Sequence, residues 1–173
     1  MSTSEKLAVI ALGHRNSGKS KTWNTFFGRT VRTGKHPKRL FFTANQYVNV
    51  LLISGSPEER KKFIGDFIKL ELNIQIVLCS MQYHINCTNT INFFINNNFK
   101  FYVHWLNPGF CDKNVYQDNL GIIPLMRKHG TVLERDGRLT PSERVSEMRQ
   151  YIFNWATEKG IFHQIEKQRV KII

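Results

Sequence analysis

The sequence predicts an α/β fold of three layers, in which a mostly parallel central sheet lies between helices on both faces. Short apolar runs of strand length alternate with amphipathic, helix-like segments along the 173 residues. The first apolar run, residues 7–12, leads through a glycine-bearing turn into a helical segment with no breaker until Gly28. Hydrophobic residues make up 41% of the chain, which is enough for the core of a single domain spanning residues 1–173.

The predicted strands are short runs of apolar, β-branched and aromatic residues that end at turn residues. They lie at residues 7–12, 40–42, 47–54, 74–79, 99–105 and 131–135. The run at 47–54 is apolar on both faces towards its end, which is typical of a central parallel strand. We expect the tail from residue 161 to add a short strand or helix.

Two of the predicted helices open with capping boxes. Ser56 and Glu59 form the first box, ahead of a helix to about residue 72. Thr140 and Glu143 form the second, ahead of a helix that ends before Gly160. A further helix is expected from about residue 88. Residues 115–128 are expected to be only partly helical, because glycine and proline break the segment.

The net charge of the chain indicates which class of partner it binds. The chain carries 25 Lys and Arg residues against 13 Asp and Glu residues, a formal net charge of +12. This excess favours anionic partners, such as nucleic acid, nucleotides or an acidic protein. Residues 72–99 are an exception, because they contain no Asp, Glu, Lys or Arg. We expect that span to be mostly interior or covered by a partner.

Other features argue against a membrane or metal-binding class. No apolar run approaches ~18 residues, so no membrane span is predicted. The first strand follows the start too closely for a signal peptide, and the three cysteines are interpreted as reduced thiols, so we expect a cytoplasmic protein. His104 is interpreted as a core histidine, and Cys79 and Cys87 as core thiols rather than zinc ligands.

Residues 13–20, Gly-His-Arg-Asn-Ser-Gly-Lys-Ser, fit the pattern G-x-x-x-x-G-K-[ST] between a strand and a helix. Gly13 permits the tight turn, and Gly18 lets the backbone approach a phosphate. Lys19 is expected to reach the β- and γ-phosphates and the Ser20 hydroxyl to bind Mg²⁺. The residues predicted to contact the nucleotide are Gly13, His14, Arg15, Asn16, Ser17, Gly18, Lys19, Ser20 and Lys21.

In these eight residues and their flanks the chain resembles the P-loop NTPase superfamily. The resemblance implies an α/β fold and a site for a nucleoside triphosphate with Mg²⁺, but it does not specify one reaction. Ras-type GTPases carry Asp-x-x-Gly and Asn-Lys-x-Asp motifs that are absent here, so ATP is the expected nucleotide, ahead of GTP. The arginine-rich lid of small nucleotide kinases is also absent.

In the P-loop superfamily an acidic residue at the end of an apolar strand commonly holds Mg²⁺ through a water molecule. This chain lacks an acid at that position. Neither the strand at 47–54 nor the strand at 74–79 ends in Asp or Glu. Glu58 and Glu59 follow the first of these strands; the capping box already explains Glu59, so Glu58 is the predicted acid. Arg60 is a candidate transition-state cation beside Lys19. Other candidates for the metal shell are Ser54, Ser80, Asp112 and Asp118.

The loop at 29–39 contains five cations and no acid, and could grip a phosphorylated acceptor or a nucleic-acid backbone. Its cations are Arg29, Arg32, Lys35, Lys38 and Arg39. Three functions remain open: an ATPase coupled to a nucleic acid or protein partner, a phosphotransferase acting on a small molecule or a polynucleotide, and a nucleotide-sensing module with negligible turnover.

Overall fold

The computed structural model describes residues 4–69 and 73–165. In these residues, strands and helices alternate along the chain. The strands are β1 (Lys6–Gly13), β2 (Lys38–Phe41), β3 (Gln46–Ile53), β4 (Ile76–Gln82), β5 (Phe99–Leu106), β6 (Gly130–Arg135) and β7 (His163–Gln164). The helices are α1 (Lys19–Phe27), α2 (Pro57–Arg60), α3 (Cys87–Asn96), α4 (Ile122–Arg127) and α5 (Ser142–Lys159).

The seven strands form one mixed, mostly parallel sheet in the order β2-β3-β4-β1-β5-β6. Strand β1 is central and pairs in parallel with β4 and β5, so that Leu12 lies between Met81 and Trp105. Strands β2 and β7 pair antiparallel with β3. Because the five strands from β3 to β6 in this order are parallel, the loops that follow them, including residues 14–18, collect at one edge of the sheet.

Alternate residues of each strand pack into two separate cores, because successive side chains point to opposite faces. On one face Ile10 and Leu12 pack with Phe94 of α3 and Met126 of α4. On the other face Val9 and Ala11 pack with residues of α1 and α5. The predicted α/β class and the mostly parallel sheet are therefore confirmed, with helices packed on both faces.

The helix predicted from Ser56 to about residue 72 is much shorter than expected. It ends at Arg60, because Lys61 takes a left-handed conformation with φ 52° and its N–H bonds back to the Glu58 carbonyl. A short 3₁₀ helix follows at Ile64–Asp66, and residues 70–72 lie outside the described part of the chain. Of the predicted capping box, the Ser56 hydroxyl does accept the Glu59 N–H, at 3.3 Å.

The second capping box is not formed. Helix α5 begins at Ser142 with Pro141 at the cap position and no side-chain cap. The prediction that Pro124 breaks the segment 115–128 was also wrong, because Pro124 lies in the first turn of α4, where its missing N–H is not needed. That turn is capped instead by Asp118, whose carboxylate accepts the N–H groups of Ile122 at 3.3 Å and Ile123 at 2.9 Å.

Strand β4 extends to Gln82 and so reaches the same edge as Gly13, beyond its predicted end at Cys79. The tail forms the short strand β7, and its remainder after residue 165 lies outside the described part of the chain. In the described residues no helix combines the length and apolar character needed to cross a bilayer.

Candidate functional site

The loop of residues 14–18 joins the central strand β1 to α1 at the carboxyl edge of the sheet. Gly18 is the cap residue of α1 and has φ 101°, a conformation that an L side chain rarely adopts. No side chain caps α1, so the N–H groups of its first turn have no side-chain acceptor. Those N–H groups and the positive end of the helix dipole favour an anion at this loop.

Lys19 lies across this loop rather than in solvent and is only 5% exposed. Its Nζ donates to the carbonyls of Gly13 at 3.2 Å and His14 at 2.7 Å, and to Glu59 Oε1 at 3.3 Å. Burial lowers the pKa of Lys19, whereas the nearby Glu59 carboxylate raises it. The ammonium group is thus held at the loop by partners that a phosphate oxygen can replace.

A cavity of about 360 Å³ opens over the loop. It is lined by Arg15, Asn16, Ser17, Gly18, Lys19, Ser20, Lys21, Glu59, Phe110 and Cys111. The Ser20 hydroxyl and the Glu59 carboxylate belong to this lining and are oxygen ligands of the kind that Mg²⁺ prefers. The donor set therefore fits a magnesium ion, which Ser20 and Glu59 would hold.

The two acids that follow β3 have different roles. The Glu58 carboxylate accepts the Gln82 N–H at 3.0 Å and the Thr90 hydroxyl at 2.5 Å, so it ties α2 to β4 and α3. Glu58 does not line the cavity over the loop, whereas Glu59 does. The capping box predicted for Glu59 is only half formed, because the Glu59 carboxylate is bonded to Lys19.

Other predicted candidates are also placed away from the cavity. The Arg60 guanidinium lies against Gly55 and over the Phe67 ring, 5.8 Å from its centroid. The His14 side chain packs between the rings of Tyr83 and Tyr116, with centroid distances of 5.2 and 4.3 Å. Neither Arg60 nor His14 is among the residues that line the cavity.

The alternative metal-shell residues are engaged in structural hydrogen bonds. Ser80 Oγ accepts the Trp23 indole N–H at 2.9 Å and donates to the Ser54 carbonyl at 2.7 Å. Asp112 accepts the Gly109 N–H at 2.9 Å, and Asp118 caps α4.

Cys79 and Cys87 are buried free thiols, and burial raises the pKa of Cys87 to about 12. No cluster of three or more His, Cys, Asp or Glu side chains suited to a metal occurs in residues 4–69 and 73–165.

His104 is buried, as expected for a core histidine, but it is not fully hydrogen-bonded. Its Nε2 lies 3.3 Å from Glu147 Oε2, and its Nδ1 has no protein partner. Burial lowers the pKa of His104 to about 4, against the opposing effect of Glu147. The imidazole is therefore neutral near pH 7.

The basic loop 29–39 runs beside β3 without reaching the cavity. The Thr33 hydroxyl accepts the Ser54 N–H at 3.1 Å, and the Gly34 N–H donates to the Leu52 carbonyl at 3.2 Å. The loop's five cations have exposed or half-buried side chains, and none is among the lining residues of the cavity. These cations therefore do not line the cavity with Lys19.

Sequence reasoning missed two glycines that pack the following loops onto Ser17. A Cβ at Gly109 would lie 2.8 Å from Ser17 Cα, and a Cβ at Gly137 would lie 2.6 Å from the Ser17 carbonyl oxygen. The Phe110 N–H also donates to that oxygen, at 3.0 Å. The sequence alone identifies these glycines only as turn residues. The need for glycine comes from contact with Ser17, which is more than 90 residues away in the chain.

A buried arginine behind the loop was also missed. Arg144 is 4% exposed; its Nε donates to the Thr22 hydroxyl at 3.0 Å and one NH group donates to the Leu139 carbonyl at 3.1 Å. The other terminal nitrogen has no hydrogen-bond partner among the described residues and would lie 3.5 Å from a Cβ at Gly18. Burial lowers the pKa of Arg144, but a guanidinium stays charged, so a cation sits directly behind the loop.

Comparison with known proteins yields no match, whether with protein-family models, with curated proteins or with solved structures.

Proposed function

We propose that the chain binds a nucleoside triphosphate, ATP rather than GTP, together with Mg²⁺ at residues 13–20, and hydrolyses it in response to a nucleic-acid or protein partner. One observation carries the proposal. The Lys19 ammonium, the uncapped start of α1 and the Glu59 carboxylate meet in one cavity at the carboxyl edge of a parallel sheet. This combination suits a polyphosphate with a divalent cation.

Each group has a distinct task in this proposal. The N–H groups of the loop and of the first turn of α1 bind phosphate oxygens, while Arg144 adds positive potential from behind. Lys19 exchanges its carbonyl and carboxylate acceptors for phosphate oxygens. Ser20 and Glu59 would hold Mg²⁺, which when bound would neutralise negative charge on the phosphates.

The second candidate function is that of a nucleotide sensor, a protein that binds ATP and turns it over only slowly without a partner. The observation in its favour is that Glu59 is the single acid among the residues lining the cavity and is paired with Lys19. An attacking water would then lack a free carboxylate until a partner rearranges the pair. The phosphotransferase alternative has less support, because the cations of loop 29–39 lie outside the cavity lining.

Incubation with γ-labelled ATP and Mg²⁺, with and without single-stranded DNA, RNA or candidate proteins, separates the candidates. Free phosphate that rises with a partner supports the ATPase, a labelled acceptor supports a phosphotransferase, and binding without either product supports a sensor. Lys19→Ala is the control for the site. If Lys19→Ala binds nucleotide as tightly as the wild type, or if the wild type binds none, the proposed function is wrong.

A further inference from the structure

A second surface lies at the amino end of β3, away from the loop at residues 14–18. Strand pairing brings Arg39 opposite Asn49, Phe41 opposite Tyr47, and Tyr47 opposite His163. Residues paired in this way share one face of the sheet. Arg39, Phe41, Tyr47, Asn49 and His163 are called the edge face below, and all five are exposed or half-buried.

The edge face is a row of three rings, Phe41, Tyr47 and His163, with a cation over the middle ring. The Arg39 guanidinium lies 4.9 Å from the centroid of the Tyr47 ring. Tyr47 contacts Phe41 at a centroid distance of 5.3 Å and stacks on His163 at 5.2 Å with an interplanar angle of 23°. Phe41 is 39% exposed. An exposed aromatic row of this kind offers planar surfaces for a flat ligand.

A groove of about 390 Å³ adjoins this row. It is lined by Pro37, Asn49, Asn73, Ile74, Gln75, Gly160, Ile161, Phe162 and His163. Tyr47 covers one side of the His163 ring, while His163 itself lines the groove. Three amide side chains also line the groove: Asn49, whose Nδ2 lies 3.4 Å from His163 Nε2, Asn73 and Gln75. The groove therefore combines a stacking surface with groups that can hydrogen-bond the edge of a base.

Among the described residues, the edge face and its groove contain a cation and no acid. Residues 6–57 contain nine Lys and Arg residues and no Asp or Glu. Residues 73–75, which complete the groove, belong to the span without charged side chains, and residues 160–165 contain no acid either. The described residues of the edge face and groove thus contribute Arg39 and no carboxylate. That balance favours a polyanion and disfavours a second copy of this basic chain.

We propose that the edge face and its groove bind single-stranded nucleic acid. The phosphate backbone follows Arg39 and the other exposed cations of loop 29–39, and a base stacks on His163 with its edge towards the amides. Stacking on aromatic side chains beside a cationic track is a recurrent way of holding single strands. An acidic peptide would satisfy the cations but leave the rings and amides unused. A duplex keeps its bases stacked and cannot use the groove.

This proposal gives the proposed ATPase its nucleic-acid partner, and in that respect it rests on the proposed function. Binding at the edge face itself requires no nucleotide. The test uses the full chain without nucleotide and fluorescein-labelled 20-mers of single-stranded DNA and RNA, followed by fluorescence anisotropy at several salt concentrations. The matching duplexes are the comparison. The DNA and RNA arms show which source of the ligand is preferred.

Two variants test the contacts, each with a matched control. His163→Ala is expected to weaken binding on the order of 10-fold, the effect of removing one stacking platform. Arg39→Ala should reduce the slope of log affinity against log salt by about 0.7. Phe63→Ala, an exposed ring elsewhere, and Arg127→Ala, an exposed cation on α4, control for loss of a ring and of a charge. Circular dichroism confirms that each variant is folded.

The outcomes separate this proposal from the nucleotide site. Lys19→Ala should lose ATP binding but bind the oligonucleotide like the wild type. A wild-type chain that binds the oligonucleotide but no ATP would count against the nucleotide site alone. The edge-face proposal is overturned if no single strand binds at low salt, or if His163→Ala and Arg39→Ala bind no more weakly than their controls. It is also overturned if duplex, or polyglutamate as competitor, binds as well as the single strand.

Discussion

Replacement of Glu59 by Gln tests which acid serves the nucleotide site. Glu59 Oε1 lies 3.3 Å from Lys19 Nζ, and the side chains of Lys19 and Glu59 are 6% and 32% exposed. A hydrogen bond between charged groups contributes about 1.5–3 kcal/mol. Because a third of Glu59 is in solvent, screening reduces this to about 1 kcal/mol. Glu59→Gln keeps the shape and removes the charge, so the free energy of unfolding should fall by about that amount.

The same substitution should have opposite effects on two nucleotide measurements. Without Mg²⁺, Lys19 no longer shares its ammonium with a carboxylate, so affinity for ATP should rise by up to about fivefold, the equivalent of 1 kcal/mol. With Mg²⁺, loss of a group that holds the ion should reduce turnover by roughly 10- to 100-fold. Titration of a fluorescent ATP analogue in EDTA and in Mg²⁺, urea unfolding and phosphate release give the three values.

Glu58→Gln is the matched control, because Glu58 is the neighbouring acid and carries the same charge. Its carboxylate is bonded to Gln82 and Thr90, so the variant should lose stability without any gain in ATP affinity in EDTA. If Glu59→Gln leaves affinity and turnover unchanged while Glu58→Gln abolishes turnover, the assignment of Glu59 to the site is refuted. Glu58 would then be the acid, as the sequence alone predicts.

Three further predictions concern stability and the loop. Burial lowers the pKa of His104 from 6.5 to about 4, so His104 is protonated in the unfolded chain at a higher pH than in the folded chain. The free energy of unfolding should therefore fall by about 3 kcal/mol as the pH drops from about 6.5 to 4. Urea titrations at several pH values measure this change. Gly137→Ala places a Cβ 2.6 Å from the Ser17 carbonyl oxygen, so it should cost about 1–3 kcal/mol and weaken ATP binding. Trp23→Phe removes a buried ring and its hydrogen bond to Ser80 and should cost about 2–3 kcal/mol in urea unfolding.

Each of these has its own check. In His104→Gln the decline between pH 6.5 and 4 should be smaller than in the wild type; an equal decline would contradict the assignment to His104. Gly34→Ala meets nothing nearer than 3.3 Å and should leave ATP binding unchanged, so equal losses in both glycine variants would count against a specific contact. Ser80→Ala should cost less in the Trp23→Phe variant than in the wild type, because only its bond to the Ser54 carbonyl is then left to lose, and fully additive losses would argue that the two side chains are not coupled.

Much of the fold could be predicted because it depends on local patterns. The alternation of apolar strands with helices predicts the mostly parallel sheet, and the loop at residues 14–18 follows from glycines and a lysine at short, regular spacing. The errors lie where tertiary contacts override a local rule. Helix α2 stops at Arg60, because Lys61 takes a left-handed conformation. Its capping box is only half formed, because the Glu59 carboxylate bonds to Lys19, 40 residues away.

The candidate site also contains some residues that local sequence predicts and others that it does not. The residues that line the cavity from Arg15 to Lys21 could be named from the motif, whereas the choice between Glu58 and Glu59 could not. Both acids lie in the first turn of one short helix, and their environments differ only because one faces β4 and α3 and the other faces the loop. Local sequence does not encode which neighbours a helix turn meets.

By itself, the sequence determined the α/β alternation, the glycine and lysine pattern at residues 13–20 and the excess of positive charge, since each depends on residue type and spacing over a few positions. Only the tertiary structure decided that Glu59 meets Lys19, that Arg144 lies behind Gly18, and that Arg39, Tyr47 and His163 share one face. These groups are brought together by strand pairing and helix packing between distant parts of the chain. Such contacts depend on the register and orientation of whole elements, which no short stretch of residues specifies.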